Sequence, residues 1–140
     1  MRPDVTEQLA GIRKVLEDVV APHVTDPYPA DVLDGALATL EMLADTWAEV
    51  PAFLRWDAAE TTAVLRQIGV DAPAPPEDPL DLAALHEHDR AVRELLEQHI
   101  DEVLSDEAAR TATVALFRER AVRYPLATRP RGGFGAHAAR

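Results

Sequence analysis

The chain has 140 residues, a 47% apolar fraction, a formal net charge of −11 and no cysteine. That length suits one domain, and that apolar content suits a real core and excludes global disorder. The missing cysteines exclude disulfides, thiolate metal centres and cysteine nucleophiles. The acidic balance argues against nucleic-acid binding, which depends on neutralising phosphates with Lys and Arg. The opening MRPDVTEQLAG lacks the apolar run of a signal peptide, and no stretch approaches 18 uninterrupted apolar residues. A soluble cytoplasmic protein with no membrane partner is therefore expected. The apolar set is mostly Ala, Leu and Val with few aromatics, which favours closely packed helices over a β-sandwich.

In chain order, the first predicted helix runs from Asp4 to Val20. Asp4 and Glu7 have capping-box spacing, and Leu9, Ile12, Leu16 and Val19/Val20 form one apolar stripe that Pro22 ends. Pro29 suits the first turn of a second helix reaching about Glu49, with Leu33, Leu37, Leu40, Leu43/Ala44 and Trp47 at core spacing. Gly35 in its interior is a mild cost, accepted if it lets a neighbouring helix approach closely. Pro51 is expected to break the chain, leaving PAFLRW as an apolar connector. Asp57 and Glu60 repeat the capping-box spacing and open a third helix to about Ile68, capped by Gly69.

The stretch VDAPAPPEDP holds four prolines and three carboxylates and reads as a stiff linker. A fourth helix then spans Leu80 or Asp81 to Leu104. Ser105 or Asp106 caps a fifth, running to about Arg123 and carrying Val114, Leu116/Phe117 and Ala121. Tyr124-Pro125 ends it, and LATRPRGGFGAHAAR is too rich in Gly, Pro and Arg to fold alone. The expected fold is an all-α, up-and-down helical bundle of four to five helices, with a Pro-rich linker and an extended basic C-terminal tail. Residues 1–124 form the bundle domain and residues 125–140 the tail.

LHEHDRAVRELLEQHI, residues 85–100, is the stretch most suggestive of chemistry. On a helix His88, Val92, Leu95 and His99 share one face, and His86, Asp89 and Arg93 another. His86 with Asp89 has the spacing of metal ligands, and His88 is their neighbour, so these three are the metal candidates. Neither HExxH nor the Glu-x-x-His pairs of di-iron bundles occur. The simpler alternative is a solvated face on which Glu87, Arg90, Glu94 and Glu97 form weak pairs; a third reading is a buried structural histidine, with His99 the candidate. Ser105 is the only serine and reads as a helix cap rather than a nucleophile. RPRGGFG lacks the strand and helix that would aim its backbone at phosphate, and no cofactor motif is present. No catalytic residue is assigned. Trp47 and Trp56 read as core or interface anchors.

Charge is unevenly placed. Residues 1–107 hold 24 Asp/Glu and 7 Lys/Arg, a net of −17, whereas residues 108–140 hold one Glu and seven Arg, a net of +6. Arg118, Arg120, Arg123, Arg129, Arg131 and Arg140 flank Tyr124 and Phe134. Arginine with aromatics is the composition enriched where surfaces meet partners. Arg118, Arg123, Tyr124, Arg129, Arg131 and Phe134 are thus the expected partner-binding residues.

The segments VTEQLAGIRKVLEDVVAP, DVLDGALATLEML and RERAVRYP give the chain a resemblance to a family of uncharacterised short helical proteins of bacteria with GC-rich genomes. These are encoded beside aminoglycoside-phosphotransferase-like kinases and acyl-CoA dehydrogenases. The resemblance implies an accessory role near such enzymes and transfers no functional residue. The expected function is a non-catalytic accessory or subunit protein that docks on a partner enzyme, or self-associates, through its basic C-terminal segment. The alternative is a small helical enzyme or ligand-binding protein with a metal site on the His86–His99 helix.

Overall fold

The structure, a computed structural model, describes residues 3–126. Every regular element among them is helical: the protein is an all-α bundle. Two compact units are present, one comprising residues 3–44 with Leu126, the other residues 45–125. Among the described residues no helix is long and apolar enough to cross a membrane.

In the first unit, helix α1 (Val5–Val15) starts as its sequence requires. The Asp4 carboxylate accepts from the Glu7 backbone N–H at 2.8 Å, and the Glu7 carboxylate accepts from the Asp4 N–H at 3.0 Å. Two otherwise orphaned donors are thereby satisfied. Pro22 cannot donate to a carbonyl one turn back, and its ring would crowd that carbonyl. The chain responds by widening into a π-type turn over Leu16–Val20, where the Ala21 N–H reaches the Leu16 carbonyl, and then tightening into a 3-10 turn over Ala21–His23. Leu9, Arg13 and Leu16 take the sheltered side of this segment, while Ile12 and Val19 stay exposed. Arg13 therefore holds the place expected for Ile12, bridging Glu17 at 2.9 Å and Glu41 at 3.5 Å.

Helix α2 (Pro27–Thr46) starts at Pro27, two residues ahead of the expected Pro29, and leads into a 3-10 turn over Trp47–Glu49. Leu37 is its buried residue and Trp47 remains 38% exposed, so this tryptophan is not a core side chain. A Cβ built on Gly35 meets nothing within 4 Å, which removes close helix approach as the reason for glycine there.

The second unit is organised around α3 (Val50–Gln67), which packs along both α4 (Leu82–Gln98) and α6 (Glu107–Arg123). Pro51 does not break the chain. It sits in the first turn of α3, where a missing N–H costs nothing. PAFLRW is consequently helical, and Asp57 lies in the helix interior rather than at a cap. Gly69 ends α3 with φ of 75°. The Gly69 N–H donates to Arg66 at 3.1 Å and the Val70 N–H to Leu65 at 3.0 Å, the paired bonds of a Schellman stop. The linker then runs without regular structure, as its prolines demand, with Val70 and Ala72 resting on the core.

Asp81 caps α4 by accepting from the Ala84 N–H at 3.0 Å. The expected single helix to Leu104 is interrupted at His99, which closes α4 and opens the short α5 (Ile100–Ser105). Asp106, not Ser105, caps α6, accepting from the Ala109 N–H at 2.7 Å. The Ser105 hydroxyl instead donates back to the Asp101 carbonyl. Val64, Leu65, Val92, Leu96, Val103, Ala109 and Leu116 close the core between these helices.

Two substitutions test this description. Gly35→Ala raises stability by about 0.5–1 kcal/mol, because alanine costs less helix entropy and meets no neighbour. Leu65→Ala, at a fully buried site, costs about 2–5 kcal/mol. Urea unfolding followed by tryptophan fluorescence measures both.

Candidate functional site

The principal polar feature of the second unit is a charged hub where α3, α4 and α6 meet. Asp57 on α3 has no solvent exposure. Its Oδ2 accepts from Arg93 Nε at 2.8 Å and from Arg93 Nη2 at 2.6 Å. Its Oδ1 accepts from Arg120 Nε at 2.6 Å. Each oxygen of one buried carboxylate thus serves one arginine, from α4 and α6 respectively. Thr61, one turn along α3 and also fully buried, donates its hydroxyl proton to the Asp57 carbonyl at 2.7 Å. The same hydroxyl oxygen accepts from Arg120 Nη2 at 3.1 Å.

A second carboxylate adjoins the hub. Asp89 is 5% exposed, and its Oδ2 lies 3.2 Å from Arg93 Nε, the nitrogen already donating to Asp57. Its Oδ1 is buried and accepts no hydrogen bond. Burial, the charge of Asp57 and hydrogen bonding between the two carboxyls push Asp89 from 3.8 up to about 7, against the opposing pull of Arg93 and Arg120. A protonated acid at this position can donate as well as accept.

The hub pairs its charged groups with one another. Here both arginines are committed to carboxylate oxygens. Asp89, Arg93, Ala83, His86, Glu87 and Arg90 line an open hollow, and all six belong to α4, so these described residues form a helix face rather than an enclosed site.

The three metal candidates do not converge. His86 is exposed, His88 is half-buried with its imidazole pushed below the usual range by burial, and Asp89 faces the hub. Among the described residues no group of three or more His, Asp or Glu side chains is gathered for a metal ion. His99 is half-buried, with Nδ1 2.7 Å from Glu102 at the break between α4 and α5.

The basic end divides between inside and outside. Arg120 turns into the hub. Arg123 pairs with Glu119 at 2.8 Å, and its guanidinium lies 4.6 Å from the Trp56 ring centre. Tyr124 meets Phe53 edge-on at 5.4 Å and keeps 45% of its surface exposed. Arg118 is exposed. Arg129, Arg131 and Phe134 lie outside the described residues.

The sequence does contain a signal for the hub. Leu85, Asp89, Val92 and Leu96 follow steps of 4, 3 and 4, as do Ala109, Thr113, Leu116 and Arg120. Asp57 likewise falls one turn from Leu54 and Thr61 on the inner stripe of α3. A charged residue at an apolar register on each of three helices marks a buried ionic contact.

Removing the central carboxylate leaves two guanidinium groups without their buried partner. Asp57→Leu therefore costs about 3–5 kcal/mol of stability. Arg93→Met costs less than Arg120→Met, because the Arg93 side chain is 37% exposed against 19% for Arg120 and water can substitute for it. Combining Asp57→Leu with Arg93→Met and Arg120→Met recovers much of the loss, and urea midpoints of the four variants measure it.

Comparison with known protein families, with curated proteins and with solved structures finds no match to this chain.

Proposed function

We propose that the protein is a non-catalytic accessory protein that docks through its basic C-terminal end on the acidic surface of a partner enzyme or of a second copy. A kinase-like enzyme or an acyl-CoA dehydrogenase is the partner class that the sequence resemblance suggests. The observation that carries this proposal is a strip along α6 and its C-cap residue Tyr124. Val114, Phe117, Ala121 and Tyr124 follow steps of 3, 4 and 3 and are all exposed, with Val114, Phe117 and Tyr124 near 45%. Exposed Arg110 and Arg118 flank the strip. Apolar and aromatic side chains rimmed by arginine suit a partner helix that carries its own apolar stripe and an acidic rim. The charge split of −17 and +6 along the sequence supports the same direction of attraction. With Arg120 turned inward, Arg110 and Arg118 are the exposed arginines beside the strip.

Sedimentation velocity tests the proposal with the full chain, alone and mixed with a candidate enzyme of either class. Association weakens as salt rises from about 0.05 to 0.5 M. It falls at least tenfold for Phe117→Asp and for a chain lacking residues 127–140. Association that both variants leave unchanged, or a full chain that stays monomeric and unbound throughout, overturns it.

A further inference from the structure

We infer that Asp89 is a proton-operated switch on the hub: protonated, it leaves Arg93 to Asp57 and keeps α4 clamped to α3; deprotonated, it draws the same guanidinium edge toward itself and loosens the clamp. The geometry supplies the competition. Arg93 Nε donates its N–H to Asp57 Oδ2 at 2.8 Å and lies 3.2 Å from Asp89 Oδ2 as an ion pair, so one nitrogen stands between two carboxylates. Arg93 is also the more exposed of the two arginines and so the freer to shift. Asp89 Oδ1 is buried and accepts no hydrogen bond, which suits a neutral acid and is poorly tolerated on an anion that finds neither solvent nor a donor there.

The groups that face Asp89 are Asp57 from α3, Arg120 from α6 and Arg93 from its own helix. Asp57 is fully buried between its two arginines, so a second negative charge beside it meets repulsion, and Arg93 is the arginine with the more room to move in response. His86, Glu87 and Arg90 stand on the outer face of α4 beside it. The balance of these groups places Asp89 at about 7, half-protonated near neutrality. The sign follows from the folded value lying above the ordinary 3.8. The folded state keeps a proton that the unfolded chain has lost, so the contribution of Asp89 to stability is full below about pH 4 and is lost as pH rises to about 7. Over that window this group alone multiplies the unfolding equilibrium constant by up to about tenfold per pH unit, and above it the effect is constant.

Carboxyl and guanidinium NMR on the full-length wild type is the direct experiment. Asp89 titrates with a midpoint near 7, and the Arg93 Nε–H resonance moves with the same midpoint. In Asp89→Asn, a permanently neutral isostere, that movement disappears. The unfolding constant of the variant relative to wild type then falls by about a hundredfold or more between pH 4 and pH 7. An Asp89 midpoint near 4, an Arg93 Nε–H that does not respond to Asp89, or a variant with the pH dependence of wild type each overturns the switch. Should the variant fail to fold, the wild-type titration decides alone.

Discussion

The second unit depends on one carboxylate that cannot reach water. Asp57 is fully buried, and a charge in that position is tolerable only if its hydration is replaced by donors of comparable strength. Arg93 and Arg120 provide them, one to each oxygen. The donors come from two other helices, so the demand for charge compensation becomes a demand on geometry: α4 and α6 must present their guanidinium groups at one level of α3. The apolar core of Val64, Leu65, Val92, Leu96 and Leu116 supplies the driving force for packing. The ionic hub selects which of the available packings keeps its charges paired. Burial of this kind contributes little to net stability, and its value lies in excluding alternatives in which a guanidinium or a carboxylate would be stranded.

The helices themselves were largely legible because their signals are local. Asp4 with Glu7, Pro22, Gly69, the proline-rich linker and Tyr124-Pro125 each act within a few residues, and each marks its boundary as expected. The misplacement of α3 shows the limit of the same logic. Asp57 and Glu60 have the spacing of Asp4 and Glu7, and the spacing alone does not say whether the acid caps a helix or sits inside one. What separates them is context: Phe53 and Leu54 precede Asp57 at helical intervals, and Pro51 stands where a first turn tolerates it. The hub was not legible as a site because its partners are 36 and 63 residues apart. Only the placement of charges on otherwise apolar stripes hints at it.

Counting charges along the sequence treats every arginine as equally available, and the fold does not. Arg120 neutralises Asp57 in the interior, and Arg123 lies against Glu119 and Trp56, whereas Arg118, on the other side of the same helix, faces solvent. A basic segment can thus serve its own scaffold and an outer surface at once, with roles alternating at the period of the helix. Arg120 also joins two features of α6, its guanidinium lying 5.2 Å from the ring centre of Phe117. The exposed strip of Val114, Phe117, Ala121 and Tyr124 lies on the flank of α6, and the hub lies on its inner face.

The 63-residue interval between Asp57 and Arg120 has a consequence for the birth of the molecule. A ribosome adds about 5–20 residues per second, so the aspartate is made roughly 3–13 seconds before its second arginine exists. Throughout that interval the carboxylate has every reason to stay hydrated. Helix α3 can form early, but its polar notch resists being sealed by whatever apolar surface has already been synthesised. Final collapse of this half of the protein is thereby deferred until nearly all of it is present, which guards the nascent chain against premature and incorrect closure.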